Sequence, residues 1–524
     1  MTTQASAAAV KHLVILGGGS AGWITAGVLA SDHNSHQADG LKVTVIESPN
    51  VAPLGVGEGT WPSMRLTLKR MGVSETDFFR ECDASFKQGI KFVGWVDNTE
   101  DDYYYHPLEL PRGFNQLDLV SPWLKIKDQV SFVGATCVQG HLCERGLAPK
   151  QLETPEYASV ANYAYHFSAA KLSQFLTRHC TQKLGVTHVV DEVTQVESAE
   201  NGDIQALITS GGQRIEADLF VDCSGASAKL IGQHFGVGYC SQKHVIFNDR
   251  ALAAQIPYAS EDSPIASHTV ATARSNGWIW DIGLPSRRGV GYVFASDYIG
   301  SDKVSVELKD YIALSLGRER AEQVEFRELR YEPGFREKFW HKNCVAVGMS
   351  AGFVEPLEAT ALVMIEASAR MISAELPASR EVMGIVEKRF NERFAYYWRT
   401  TIDFLKLQYV LTQRTDTAYW RDCADEASVP DTLKEYLQLW SRQVPNQHDF
   451  PLAEEMLPAA SWQYILYGMR FVTQARATSR RSSSDQAFAQ IRTEVQQLAE
   501  RYAQHLPKNR DLIRNICKTG LRRE

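Results

Sequence analysis

Residues Lys11–Gly27 read KHLVILGGGSAGWITAG, and this stretch decides the fold. His12–Leu16 is a short apolar run of the kind buried in a parallel sheet. It runs straight into Gly17, Gly18, Gly19, Ser20, Ala21 and Gly22, which fit G-x-G-x-x-G through Gly17, Gly19 and Gly22. Gly17 permits the tight strand-to-helix turn, Gly19 lets a pyrophosphate approach the backbone, and Gly22 lets the helix pack closely on the strand. The helix that follows, with Trp23–Leu29 as its apolar part, turns unpaired N–H groups and the positive end of its dipole toward phosphate.

Leu41–Ile46 supplies a second strand and ends at Glu47, where a carboxylate binds a ribose hydroxyl. The polar insertion Ser31–Gly40 lengthens the gap between them. Strand, turn, helix, strand and acid together read as a dinucleotide-binding unit. A signal peptide or membrane anchor is disfavoured: Lys11 is the single basic residue before the apolar run, three glycines interrupt it, and no clear small-residue cleavage signal follows.

The 524 residues allow roughly two to four domains. With 44% apolar and 22% charged residues, the composition is that of an ordinary soluble globular protein. The net charge of −7 argues against a nucleic-acid partner or an anionic membrane surface, and no apolar run is long enough to span a bilayer. Nine scattered cysteines, odd in number and without a C-x-x-C pair, read as reduced thiols in a cytoplasmic protein. They form neither a disulfide framework nor a metal site.

Further along, Pro53–Pro62 is a glycine-rich loop able to lie against a flat cofactor. Met64–Met71 and Glu75–Cys82 read as short helices, Ser85–Trp95 as extended, Asp101–Pro107 as a loop, and Tyr165–Thr177 as an amphipathic helix. Thr187–Val196, Ile204–Thr209 and Gln213–Glu216 read as an antiparallel meander with a turn at Asn201-Gly202. Asp218–Asp222 and Asn343–Val347 are buried strands able to return to the first sheet. The region 245–331 reads as an inserted, mainly antiparallel sheet, the residues after Thr360 as helical, and Thr473–Asp485 as a basic loop. The expected fold is therefore α/β: a discontinuous Rossmann-like domain of the flavin monooxygenase type, an inserted antiparallel sheet, and a C-terminal helical part. The division expected is a core over 1–362 and a helical, substrate-covering part over 363–524. A single dinucleotide fingerprint suits FAD better than NAD.

At this point the chain resembles the flavin-dependent halogenases of the tryptophan halogenase family, from about residue 10 to about 470. Gly17–Trp23, Leu54–Pro62 followed by Ser85–Trp95, Asn276–Pro285 and Gly352–Thr360 carry the resemblance together. The family's W-x-W-x-I-P signature falls on Trp278, Trp280 and Ile282, with Gly283 where proline is usual. Taken alone, the two tryptophans read as one face of a core strand, because residues two apart share a face. The resemblance places the essential lysine on Lys87 and the essential glutamate on Glu358, with Glu355 as its neighbour. It implies halide at the backbone of Thr360 and Ala361, although the chain has Ala361 where glycine is usual. It implies FAD contacts at the Gly17–Gly22 turn, Glu47, Val56, Gly57, Glu58, Gly59, Val193, Met349 and Leu362, and substrate contacts at His106 and Leu108.

The chemistry implied is equally definite. FADH2 from a separate flavin reductase reacts with O2 to give a flavin hydroperoxide. Chloride or bromide attacks it, and hypohalous acid passes along a tunnel to Lys87. Glu358 polarises the oxidant and takes the proton from the arene. The expected substrate is a small electron-rich arene, an indole or an indole-containing or phenolic compound before free tryptophan. Leu457 and Pro458 stand where an aromatic clamp is usual. A homodimer stays open. The rival reading is an aromatic monooxygenase that hydroxylates, kept alive by Gly283 and Ala361. A flavin-binding protein without chemistry is opposed by the retention of Lys87 and Glu358.

Overall fold

The computed structural model describes residues 9–51, 57–474 and 485–523. Among these residues the dinucleotide unit forms as the glycine spacing requires: strand His12–Leu16, helix Ser20–Asp32, strand Lys42–Glu47. Parallel strands cannot be joined by hairpins, so this sheet gathers its members from far along the chain. Its order is Trp340–His341, Cys344–Ala346, Leu219–Asp222, His12–Leu16, Lys42–Glu47, Thr187–Val190, with only the first pair antiparallel. Helix Ser20–Asp32 packs against helices Ala169–Lys183 and Thr360–Ala374.

A second sheet of seven strands runs Arg327–Arg330, Arg250–Ile256, Arg288–Phe294, Gly277–Gly283, Thr269–Arg274, Gly89–Val93, Tyr103–Pro107. It is antiparallel except between Thr269–Arg274 and Gly89–Val93. Two of its strands come from before residue 245, and helix Ser301–Leu316 interrupts the strand-rich stretch to cover one face. A small antiparallel sheet, Gly57–Gly59 beside Ala164–Ser168 beside Ser85–Lys87, carries the lysine singled out above.

Three local expectations are corrected. Tyr103–Pro107 is a strand, not a loop, since consecutive tyrosines favour a pleated surface and both faces are covered here. Ala164–Ser168 is also a strand, and the helix starts only at Ala169; a fully buried five-residue run shows no periodicity to separate the two. Thr187–Val190 joins the parallel sheet, so the meander begins at Val193. The basic loop lies almost wholly outside the described residues.

The helical part includes the 31-residue helix Arg380–Val410 and helix Ala459–Gly468, which lies on Tyr103–Pro107. Helix Asn509–Thr519 returns to the lysine strand. Its Asn509 is fully buried and donates to the carbonyls of Phe86 at 3.4 Å and Ala266 at 3.2 Å. Beneath that strand lies a buried ion pair, Lys150 Nζ to Glu75 Oε2 at 2.9 Å. The hydroxyls of Tyr163 and Tyr165 donate to the other Glu75 oxygen at 2.6 and 2.7 Å. Removing one partner strands a buried charge. Lys150→Met is therefore expected to destabilise the protein by about 3–5 kcal/mol in urea unfolding.

Candidate active site

The first half of the site is the glycine turn. Gly17 has φ +122°, and a Cβ there would stand 2.2 Å from the Cys223 carbonyl oxygen. A Cβ on Gly22 would stand 1.9 Å from the Gly17 carbonyl oxygen, and one on Gly18 would meet the Glu47 carboxyl. Gly19 differs: nothing lies within 4 Å of its Cβ direction. That open face adjoins Ser20 and Ala21, the first helical residues, and the helix has no side-chain cap. An open approach to uncapped N–H groups fits a pyrophosphate. Glu47 is half-buried at the strand end and accepts from His188 at 2.9 Å, so it stands where a ribose would be held. Val193 is buried just past Asp191, whose N–H donates to the Glu47 carbonyl. Met349 lies in the turn after Cys344–Ala346, and the adjoining Gly348 packs on Ala21. Leu362 is buried in the first turn of Thr360–Ala374. These positions surround the end of the parallel sheet where a dinucleotide fits. Val56 lies outside the described residues.

The second half surrounds two buried charges. Lys87 is 1% exposed, and its Nζ donates to the Thr60 carbonyl at 3.0 Å. Burial pulls its ammonium down to about 8, against the opposing attraction of Glu358. Glu358 is fully buried. Its Oε2 is 2.8 Å from His106 Nδ1, its Oε1 accepts from Gln408 Nε2 at 3.1 Å, and its carbonyl accepts from Trp61 Nε1 at 2.7 Å. Tyr104 orients Gln408 through a 2.9 Å hydrogen bond. Thr60 and Trp61 fell within the stretch Leu54–Pro62 but were given no role, and Tyr104 and Gln408 carried no sequence signal, because their roles exist only once distant segments meet.

Glu355 is separated from this chemistry. Tyr409 donates to one of its oxygens at 2.7 Å, while Trp278 Nε1, at 3.0 Å, and Asn248 donate to the other. Trp278 therefore serves as a core donor as well as a signature residue. Trp280 lies on the same face, crossing Gly291, and walls a cavity of about 790 Å³ with Gly57 and Gly289. Beside that cavity is Glu58, whose carboxyl burial pushes up to about 7.

Helix Thr360–Ala374 begins without a side-chain cap, and its first N–H groups are open to an anion. The strained backbone falls at Ala359, with φ +55°, not at Ala361, which is helical. The change from glycine at Ala361 therefore leaves its N–H in place, and one support for hydroxylation is removed. On the far side of Glu358, a cavity of about 360 Å³ is lined by His106, Leu108, Trp61, Pro458 and Tyr464, with Arg370, Glu454 and Glu455 at its wall. Pro458 contributes no aromatic face. Trp462 is turned into the core against Phe450.

Because Gly19 has free space, Gly19→Ala is expected to keep the melting temperature of the unaltered protein. It should weaken FAD binding by at least about tenfold in a fluorescence titration, since the added methyl blocks the pyrophosphate approach.

The sequence profile of the tryptophan halogenase family matches residues 12–485. The tryptophan 6-halogenase SttH of Streptomyces toxytricini is 33% identical over 477 residues, covering 87% of this chain and 88% of that one. The tryptophan 7-halogenase RebH of Lentzea aerocolonigenes is 30% identical over 447 residues, 82% of each. The crystal structure of a tryptophan halogenase from Shewanella frigidimarina superposes with a TM-score of 0.95 at 47% identity, covering 98% of this chain and 99% of that one. The flavin-dependent halogenase BrvH of Brevundimonas sp. BAL3 does so with a TM-score of 0.83 at 30% identity, covering 97% and 99%. A glycine turn open to a dinucleotide, a buried lysine and a buried glutamate are thus set in a chain that belongs to the tryptophan halogenase family of flavin-dependent enzymes.

Proposed function

We propose that this protein halogenates an indole or a related electron-rich arene, with Lys87 carrying the halogen and Glu358 receiving the arene proton. The observation that carries the reading is the joint burial of Lys87 and Glu358, with Glu358 bonded to His106 and Trp61, which line the cavity of about 360 Å³. When bound along the glycine turn, FAD, reduced by a separate flavin reductase, supplies the O2 chemistry that turns halide into hypohalous acid. The N–H groups of Thr360 and Ala361 hold halide at an uncapped helix start.

Lys87 then intercepts the oxidant. It is dry, anchored by one carbonyl, and its amine is more readily freed than that of an exposed lysine. Glu358 is held by His106 and Gln408, and His106 borders the arene pocket. The pocket favours a compact arene: Leu108 and Pro458 give it flat apolar walls, and Trp61 and His106 give it an aromatic corner. Among the described residues, no helix is long and apolar enough to cross a membrane.

Product mass spectrometry with FAD, a flavin reductase, NADH, bromide and indole tests this. A brominated product is expected from the unaltered protein and none from Lys87→Ala, with FAD binding kept. Glu358→Gln should cut the rate by about a hundredfold or more. A product heavier by one oxygen, formed without bromide, would refute the halogenase reading. Because the free amine is the form that accepts halogen, the rate should rise with pH through about 8, the value to which burial brings Lys87. A rate flat across that range would remove the haloamine role.

A further inference from the structure

Glu358 is fully buried, and both of its oxygens are engaged, by His106 and by Gln408. It is not among the residues that wall the arene cavity, whereas His106 is. His106 belongs to strand Tyr103–Pro107, opposite Ile90 in the strand just beyond Lys87. Trp61 meets its ring edge-on at 6.3 Å, and Phe404 at 5.8 Å and Tyr464 at 6.3 Å tilt against it, so the imidazole is wedged in one orientation. Its Nδ1 lies 2.8 Å from Glu358 Oε2. Its Nε2 has no hydrogen-bond partner among the described residues, yet it is not shut away as the unpartnered ring nitrogens of His166 and His268 are. The two nitrogens point outward from the ring in diverging directions. A ring that gives Nδ1 to the carboxylate therefore turns Nε2 away from it, on the side of the cavity that His106 walls.

The carboxylate also decides which nitrogen carries hydrogen. An ionised carboxylate only accepts hydrogen bonds, so the ring nitrogen facing Glu358 is a donor. That selects the neutral tautomer with hydrogen on Nδ1 and leaves a lone pair on Nε2. Gln408 keeps the same polarity: its amide nitrogen donates to Oε1 at 3.1 Å, and its own carbonyl accepts from Tyr104 at 2.9 Å. A buried carboxylate behind an imidazole, with the basic nitrogen turned to a substrate space, is the arrangement of a general base.

We infer that His106 is a catalytic residue: its Nε2 takes the proton that the halogenated arene must lose, and Glu358 receives a proton only through it. The inference rests on the halogenation reading above and gives the path of its last proton. In the arene cation that already carries halogen, the C–H bond at the substituted carbon breaks and its electron pair returns to the ring. The proton forms an N–H bond at Nε2, and the Nδ1 proton crosses to Glu358 Oε2. The imidazole is left neutral in its other tautomer, beside a neutral carboxyl. As product leaves, the Nε2 proton passes to solvent and the Glu358 proton returns to Nδ1, which restores the starting pair. One proton has moved from arene to solvent, and nothing is oxidised or reduced in the step.

The first test needs no turnover. Full-length protein carrying ring-labelled histidine is studied by nitrogen NMR at the pH of the assay, with His106→Asn identifying the signal. Hydrogen on Nδ1 and a bare Nε2 are expected; a proton on Nε2 would overturn the proposal. The second test compares ordinary and perdeuterated indole in the presence of FAD, a flavin reductase and bromide. His106→Asn keeps an amide donor toward Glu358 but removes the base. Its bromination rate should fall roughly a hundredfold. Perdeuterated indole should then lag behind ordinary indole by a wider margin than in the unaltered protein, because loss of the ring proton has become the slow step. In His106→Ala, added imidazole should recover part of the lost rate. His106→Asn working at full rate would overturn the proposal. So would a slowed His106→Asn with no added isotope effect, together with a His106→Ala that imidazole does not rescue, since His106 would then be only a wall of the pocket. No brominated product from the unaltered protein would instead overturn the halogenation reading, and this role with it.

Discussion

A carboxylate withdrawn from water must be hydrogen-bonded or it will not stay charged, and the arrangement of this protein follows from meeting that demand at Glu358. His106 comes from an edge strand of the seven-stranded sheet, Gln408 from the 31-residue helix, and Trp61 from the segment after the small sheet. Three distant parts of the chain are thereby drawn to one side chain. The same convergence sets Lys87 beside it, since Thr60, next to Trp61, is the lysine's anchor.

The pair of acids in Glu355–Glu358 shows how burial divides labour between like groups. Glu355 is enclosed by Tyr409, Trp278 and Asn248, all donors, and Tyr419 braces Asn248 in turn at 3.0 Å. Its oxygens are spent on the core. Glu358 also has both oxygens engaged, by His106 and Gln408, but His106 itself borders the arene cavity.

What the sequence made legible was local. The Gly17–Gly22 turn, the strand before it and Glu47 form a unit whose physics fits within about forty residues, and it folds as its spacing requires. The resemblance pointed to Lys87 and Glu358, but their shared burial depends on pairings between segments hundreds of residues apart, which no local pattern encodes. His106 shows the limit most clearly. The run Asp101–Pro107 read as a loop, so the strand that sets His106 against Glu358 was hidden with it. Ala359 is similar: the left-handed residue at the helix start is two positions removed from where glycine was expected to matter.

Asn509 closes the structure with a contact to Phe86 that spans 423 residues. Pairings of such sequence separation are slow to form, since loop closure precedes any gain from contact. On the ribosome, the strand bearing Lys87 emerges long before the segment that braces it. The nascent chain can therefore complete its nucleotide-binding turn while the lysine strand still lacks its last support. Competence to handle a corrosive oxidant is in this way deferred until Asn509 has been made.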